Sequence, residues 1–153
     1  MANTAPSWAE IKEFNQFATK IITKYPERFS KIDPELLVGY ACTNKDKPEA
    51  SKKPPYELKG STEPESFTNT KKYFFTVFLS DWEGRSEESK LAIVFAALSR
   101  IDPDDPESGK VLPYNYRDQD VMVRTFGPDW HLRGSLPNLL SGDIRIADEP
   151  NFE

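Results

Sequence analysis

The sequence predicts an α+β domain: a small, mostly antiparallel sheet of about three strands, packed on an N-terminal helix and a buried central helix. Three observations lead to this class. Residues 7–24 carry an amphipathic helical pattern, residues 72–80 are apolar on both faces of a strand, and residues 86–101 are apolar all round. The 153 residues suit one domain, with a core over residues 7–130 and an irregular acidic tail over 131–153.

The first helix is predicted from its start and stop signals. Ser7 and Glu10 stand three residues apart, the spacing of a capping box. Pro26 ends the pattern because the residue before a proline is disfavoured in helical conformation. The sequence therefore predicts a helix over 7–24. Its apolar stripe consists of Trp8, Ile11, Phe14, Ala18, Ile21, Ile22 and Tyr25.

Three segments have the composition of strands. Residues 36–42 (L-L-V-G-Y-A-C) follow the break at Pro34. Residues 56–59 follow two prolines, which favours a short edge strand because proline cannot donate to a ladder. Residues 72–80 (K-Y-F-F-T-V-F-L-S) are the strongest strand signal, and their two apolar faces predict a central position.

The second half of the chain is expected to begin with the central helix. Ser86 is a suitable N-cap, so a buried helix is predicted over 86–101. The acidic stretch 102–109 reads as a loop. A shorter helix is predicted over 116–126, and residues 143–147 are expected to add a short extended piece.

Charge and composition restrict the classes of function. The net charge is −5, and the whole excess lies in residues 100–153, which carry eleven acidic and six basic side chains. This disfavours nucleic acid as a partner and favours a basic protein partner. The longest apolar run has eight residues, too few for a membrane span, and no leader pattern opens the chain. A lone cysteine, Cys42, fits a reducing compartment, so we expect a cytoplasmic protein.

The succession of parts resembles the phage metallopeptidase family, a small zincin-like group. Four local matches carry the resemblance: A-T-K-I-I-T-K-Y-P over 18–26, the aromatic strand that runs into Asp81 and Trp82, the helix over 91–100, and V-R-T-F-G-P-D-W over 123–130. The resemblance implies a zincin-like scaffold of phage origin. In that family the helix corresponding to residues 86–101 carries an H-E-x-x-H zinc motif.

The zinc chemistry that the resemblance implies is missing from this helix. Ala96 and Arg100 stand where the two histidines belong, and Ala97 stands where the catalytic glutamate belongs. Asp118 and Asp120 lie where a third ligand is expected, but carboxylates without the two imidazoles make a poor catalytic zinc site. The sequence therefore predicts no metal, no cofactor and no peptidase activity from this motif.

Other chemistry is weakly supported. Cys42 and His131, the only histidine, are the candidates for a thiol hydrolase, but Cys42 ends an apolar strand without basic neighbours. The acidic loop 102–109 fails the EF-hand spacing because Pro106 occupies a ligand position. No glycine-rich phosphate loop is present in the sequence.

A group of aromatic and charged side chains late in the sequence is the predicted contact surface, although burial against the sheet would explain its aromatic members equally well. It consists of Tyr114, Tyr116, Arg117, Asp118, Asp120, Trp130 and His131. The leading hypothesis is a non-catalytic phage protein that binds a protein partner, either a host factor that is inhibited or redirected during infection or another phage component. The alternatives are an active hydrolase, with unrecognised metal ligands or the Cys42/His131 pair, and a virion structural protein.

Overall fold

The chain folds as an α+β domain with a four-stranded mixed sheet and four α-helices in the part that the structure describes. The structure is a computed structural model. It describes residues 5–45, 55–61, 71–102, 104–109, 111–112, 122, 125–126, 130, 136 and 138–140. No helix within these ranges has the length and apolarity needed to cross a membrane.

The elements follow one another in a simple order along the chain. The strands are β1 (Trp8–Glu10), β2 (Leu37–Cys42), β3 (Tyr56–Gly60) and β4 (Tyr73–Phe78). The helices are α1 (Lys12–Lys24), α2 (Pro26–Phe29), α3 (Leu79–Glu83) and α4 (Glu87–Leu98), and a 3₁₀ turn over Pro34–Leu36 leads into β2.

The sheet has the strand order β1-β2-β4-β3. The two central strands, β2 and β4, are parallel, whereas each edge strand is antiparallel to its neighbour. The prediction of about three strands in a mostly antiparallel sheet was therefore wrong in its count, and the central pair is parallel. A parallel pair joins segments that are distant in sequence, and no local turn signal announces it.

One face of the sheet forms the hydrophobic core. Gly39 lets α1 approach the sheet closely, because a Cβ atom at this position would lie only 2.7 Å from the Cβ of Phe14. Phe14 in turn stacks on Phe75 with ring centroids 4.3 Å apart. Since Gly39 is paired with Phe75 in the parallel register, both residues face α1. The helices α1 and α4 pack on this face.

The central helix α4 confirms the sequence prediction in its start and its burial. The Ser86 side chain accepts a hydrogen bond from the Ser89 backbone N–H at 3.2 Å, which is the expected N-cap. Every residue over 91–98 is buried. The helix ends at Leu98, three residues earlier than predicted, and Ile101 already forms an isolated bridge with Val111.

The start of the chain differs from its prediction. Residues 8–10 form an edge strand instead of the first turn of a helix, and α1 begins at Lys12 without a side-chain cap. The Ser7 N–H donates to Asn44 Oδ1 at 2.9 Å, so Ser7 caps no helix. Trp8, predicted to lie on the apolar stripe, is 52% exposed. Pairing with β2 replaces the helical turn that the capping pattern favours locally.

The remaining strand predictions are confirmed within one or two residues. The strand predicted over 36–42 is β2, the short edge strand predicted over 56–59 is β3, and the central strand predicted over 72–80 is β4. The end of the first helix before Pro26 is confirmed as well.

The later part of the chain is described only at scattered positions. Residues 122 and 125–126 are helical, which agrees with the end of the helix predicted over 116–126; its start and the piece over 143–147 lie outside the described residues. The core, expected to end near residue 130, extends to Leu139, which is fully buried. The Tyr25 hydroxyl donates a hydrogen bond of 2.8 Å to the Leu139 carbonyl oxygen.

Candidate functional site

The helix α4, on which the family resemblance places the lost zinc motif, is enclosed by the core. Ala96 and Ala97 are both 0% exposed, and the aromatic rings of Tyr25 and Phe29 pack edge-on against Phe95, the residue directly before Ala96. A substrate cannot reach these two positions without displacing core side chains. In this structure α4 therefore has the position of a core helix.

Arg100 lies outside the helix. Its Nε donates to the Leu112 carbonyl oxygen at 3.1 Å, and the Leu112 N–H donates back to the Arg100 carbonyl oxygen at 2.8 Å. Arg100 therefore lies in the turn that follows α4, where it is bonded to Leu112.

Metal-ligating side chains do not converge in the described part of the chain. No three histidine, cysteine, aspartate or glutamate side chains stand close enough there to share an ion. The acidic loop that follows α4 is held by its own hydrogen bonds: the Asp104 N–H donates to Asp102 Oδ1 at 2.9 Å, and the Ser108 hydroxyl donates to the Asp105 carbonyl oxygen at 2.8 Å. These bonds account for the loop as a structural turn.

The same loop packs against a buried tyrosine. The Tyr73 hydroxyl donates to the Pro106 carbonyl oxygen at 2.9 Å. Burial raises the pKa of Tyr73, and the carboxylates of Asp105 and Asp102 add to this increase, although hydrogen bonds from Gly109 and Ser108 oppose it. Tyr73 is therefore neutral at physiological pH and fastens the loop to the sheet.

The thiol predicted as a possible nucleophile is inaccessible. Cys42 is 2% exposed, and its Sγ lies 3.4 Å from Asn44 Oδ1. A nucleophile must reach its substrate, so a buried thiol with an amide neighbour fits a structural role. His131, its proposed partner, lies outside the described residues.

Of the predicted contact surface, one residue is described. Trp130 is 3% exposed and belongs to the core, so for this ring the structure favours burial, which the sequence left open as an alternative. Tyr114, Tyr116, Arg117, Asp118, Asp120 and His131 lie outside the described residues and stay predictions.

The exposed apolar surface of the described residues lies at the other end of the chain, on β1. All three residues of this edge strand are exposed, and Trp8 is the one large hydrophobic side chain in the described ranges that is mostly in solvent. Large exposed aromatic side chains are enriched at protein contacts. Sequence reasoning missed this site because the capping-box pattern assigned Trp8 to a buried helical stripe.

We call the sheet face that points away from α1 and α4 the outer face. Trp8 lies at one end of this face. Trp8 is paired with Cys42, and Cys42 with Phe78, so these three side chains form one cross-strand row. Glu10 is paired with Tyr40 in the next row. The outer face consists, in the described strands, of Trp8, Glu10, Val38, Tyr40, Cys42, Glu57, Lys59, Phe74, Thr76 and Phe78.

Comparison with known protein families, with curated proteins and with solved structures finds no match to the chain. The candidate site therefore rests on the geometry of the chain itself. We define it as the β1 edge, which consists of Trp8, Ala9 and Glu10 together with Asn44, whose side chain holds the preceding residues.

Proposed function

We propose that this protein is a non-catalytic protein-binding domain and that the β1 edge is its contact site. The observation that carries the proposal is the position of Trp8, a large apolar ring that is 52% exposed on an edge strand. Burying an aromatic side chain of this size on binding would contribute roughly 2 kcal/mol.

The burial of α4 supports the non-catalytic part of the proposal. The positions that would hold a histidine and a general base, Ala96 and Ala97, lie inside the core, and Arg100 is engaged with Leu112. A shared fold does not imply a shared activity, because activity depends on the residues of the site. The helix therefore contributes packing to this protein.

The resemblance to the phage metallopeptidase family rests on the sequence alone. Within the proposal it gives the protein a phage origin and a zincin-like ancestry whose zinc motif is lost. The partner would be a protein of the bacterial host, inhibited or redirected in the host cytoplasm during infection, or another phage component. The acidic excess of residues 100–153 favours a basic partner, and Glu10 places one exposed carboxylate at the β1 edge itself.

Two alternatives make different demands on the chain. A thiol hydrolase requires an accessible Cys42, which its 2% exposure disfavours. A virion structural protein requires stable incorporation into particles, which mass spectrometry of purified virions would detect. Neither alternative explains the exposure of Trp8 as directly as a binding site does.

Affinity purification tests the proposal. The tagged wild-type chain, Trp8→Ala and the control Glu83→Ala, which changes an exposed residue on α3, are passed through extracts of candidate bacterial hosts. We expect one protein to be retained in stoichiometric amount by the wild type and by Glu83→Ala, and at least tenfold less by Trp8→Ala. Equal retention by all three variants, or no stoichiometric partner, would contradict the binding proposal. Cleavage of a peptide library by the purified chain would contradict its non-catalytic part.

A further inference from the structure

The hydrogen-bonding groups of β1 divide between two sides. The Thr43 N–H donates to the Ser7 carbonyl oxygen at 2.9 Å, and the Ile11 N–H donates to the Gly39 carbonyl oxygen at 2.9 Å. In an antiparallel pair, alternate residues direct both backbone groups toward the neighbouring strand. Ser7, Ala9 and Ile11 therefore face β2. The N–H and C=O groups of the two residues between them point away from the sheet.

These outward groups belong to Trp8 and Glu10. Within the described ranges β1 is the outer strand of the sheet, and no hydrogen bond joins their backbone groups to another described residue. Both residues are exposed, which shows that the edge is open to solvent. Four main-chain groups, two donors and two acceptors, are thus presented in the spacing of a sheet ladder.

The edge is held in this conformation before any partner arrives. The Asn44 side chain accepts from the Ser7 N–H at 2.9 Å through Oδ1 and donates to the Ala5 carbonyl oxygen at 2.9 Å through Nδ2. This two-point contact fastens the residues that precede β1 to the segment that follows β2. An ordered edge binds a strand more strongly because less conformational entropy is lost on binding.

The side chains of Trp8 and Glu10 determine which side chains of an added strand would complement the edge. Trp8 and Glu10 both point to the outer face, and a residue paired with either one places its own side chain on that same face. Beside Trp8 an apolar side chain would cover the exposed ring, in line with Cys42 and Phe78. Beside Glu10 a basic side chain would complement the carboxylate, for which the structure records no salt bridge in the described ranges.

We infer that the β1 edge binds an extended strand of a basic protein partner, antiparallel, through main-chain hydrogen bonds to Trp8 and Glu10, with an apolar residue beside Trp8 and a lysine or arginine beside Glu10. This inference rests on the proposed function and assigns its mode of binding. The antiparallel arrangement lets one partner residue use both backbone groups of Trp8 and a second use both of Glu10.

A second copy of the chain is the less suitable occupant. Two antiparallel β1 strands related by a two-fold axis at Ala9 would pair Trp8 of each copy with Glu10 of the other. The ring would then lie beside a carboxylate, and the two Glu10 carboxylates would lie diagonally across the same face. Each copy also carries a net charge of −5, which adds repulsion.

A hairpin peptide provides the test on the partner side. Its outer strand has the sequence Thr-Lys-Thr-Val-Thr and is joined through an Asn-Gly turn to a second strand that keeps it extended. In the antiparallel register the lysine lies beside Glu10 and the valine beside Trp8. The control is the same hairpin with methyl groups on the backbone nitrogens of the lysine and the valine. This change removes both backbone N–H donors and leaves the side chains unchanged.

The readout is the amide NMR spectrum of the full chain at peptide concentrations on the order of 1 mM. We expect the Trp8 and Glu10 amide signals to shift with the first hairpin and to shift at least tenfold less with the N-methylated one. Equal shifts with both hairpins, or none with either, would overturn strand addition. Partner retention in the affinity purification would then still stand, so the two proposals can fail separately.

A pair of variants tests the protein side. Glu10→Ala removes the carboxylate, whereas Glu10→Pro removes both the carboxylate and the outward N–H. Proline is tolerated at an edge when its nitrogen faces solvent, so the bonds of Ala9 and Ile11 to β2 persist. We expect Glu10→Pro to bind the hairpin at least tenfold more weakly than Glu10→Ala. Equal binding by the two variants would overturn the main-chain contact. Sedimentation of the wild type as a dimer that Glu10→Pro dissociates would overturn it in favour of a second copy.

Discussion

The helix α4 and the edge strand β1 use their apolar residues in opposite ways. Every residue over 91–98 is buried, whereas all three residues over 8–10 are exposed. The helix is closed to solvent along its apolar run, whereas the strand presents an exposed aromatic ring and open backbone groups. This contrast is the reason why we propose the sheet edge, and not the central helix, as the contact site.

The largest contrast is expected from one substitution made in both regions. Ala97→Glu places a carboxylate inside the core without a partner, which we expect to cost roughly 4 kcal/mol or more of unfolding free energy. Ala9→Glu, at an exposed position of β1, is expected to cost no more than about 0.5 kcal/mol. Chemical denaturation measures both. Similar costs would mean that α4 is more accessible than its burial indicates.

A core aromatic sharpens the comparison between the two faces of the sheet. Phe75 stacks on Phe14 and lies 5.9 Å from the Tyr56 ring centroid, so Phe75→Ala is expected to cost about 3 kcal/mol. Phe78 lies on the outer face and is half-buried, so Phe78→Ala should cost distinctly less. Urea unfolding of both variants gives the two values. A larger loss of unfolding free energy for Phe78→Ala than for Phe75→Ala would mean that the main core lies on the outer face, contrary to this structure.

The tyrosine at the acidic loop predicts a dependence on pH. Because burial raises the pKa of folded Tyr73 above its unfolded value, the native state holds this proton more tightly, and stability falls as the pH rises above about 10. Tyr73→Phe should lower the unfolding free energy by about 1 kcal/mol at neutral pH, since the Pro106 carbonyl loses its donor.

In alkaline solution Tyr73→Phe should therefore lose less further stability than the wild type. Tyr25→Phe provides an independent comparison, because burial and then the Glu27 carboxylate raise the pKa of Tyr25 as well. Thermal unfolding between neutral and alkaline pH measures the dependence. A wild type and a Tyr73→Phe variant with parallel pH profiles would contradict this account.

The smallest effect on stability is expected at the proposed binding site. Trp8→Ala should lower the unfolding free energy by no more than about 1 kcal/mol, because about half of the residue is already exposed to solvent in the folded chain. It should also remove most of the fluorescence that acrylamide quenches, since the other two tryptophans, Trp82 and Trp130, are buried. A loss of several kcal/mol would show that Trp8 supports the fold instead of facing a partner.

The sequence predicted α4 and the strands better than it predicted the site. Ser86, a long apolar run and the aromatic strand β4 are strong local signals, and each element lies close to its expected position. For β1 the local signal pointed the other way, because Ser7 and Glu10 have capping-box spacing. The competing interactions, pairing with β2 and the contact with Asn44, join residues that are 30 or more positions apart in the sequence.

The sheet topology could not be predicted from the sequence for the same reason. The parallel register between β2 and β4 pairs Leu37 with Tyr73, and β3 intervenes in sequence and then pairs on the far side of β4. Hydrophobic patterns give the faces of a strand but not its neighbour. The exposure of Trp8 follows from this topology, so the candidate site became visible only with the fold.

Amide hydrogen exchange of the free chain tests the central claim most directly, because it compares both regions in one measurement. The Trp8 and Glu10 amides should exchange nearly as fast as in an unfolded chain, the Ala9 and Ile11 amides should be protected by their bonds to β2, and the amides of α4 should exchange only through global unfolding. Protection of Trp8 and Glu10 equal to that of Ala9, or fast exchange throughout α4, would contradict an open binding edge on a scaffold with a closed central helix.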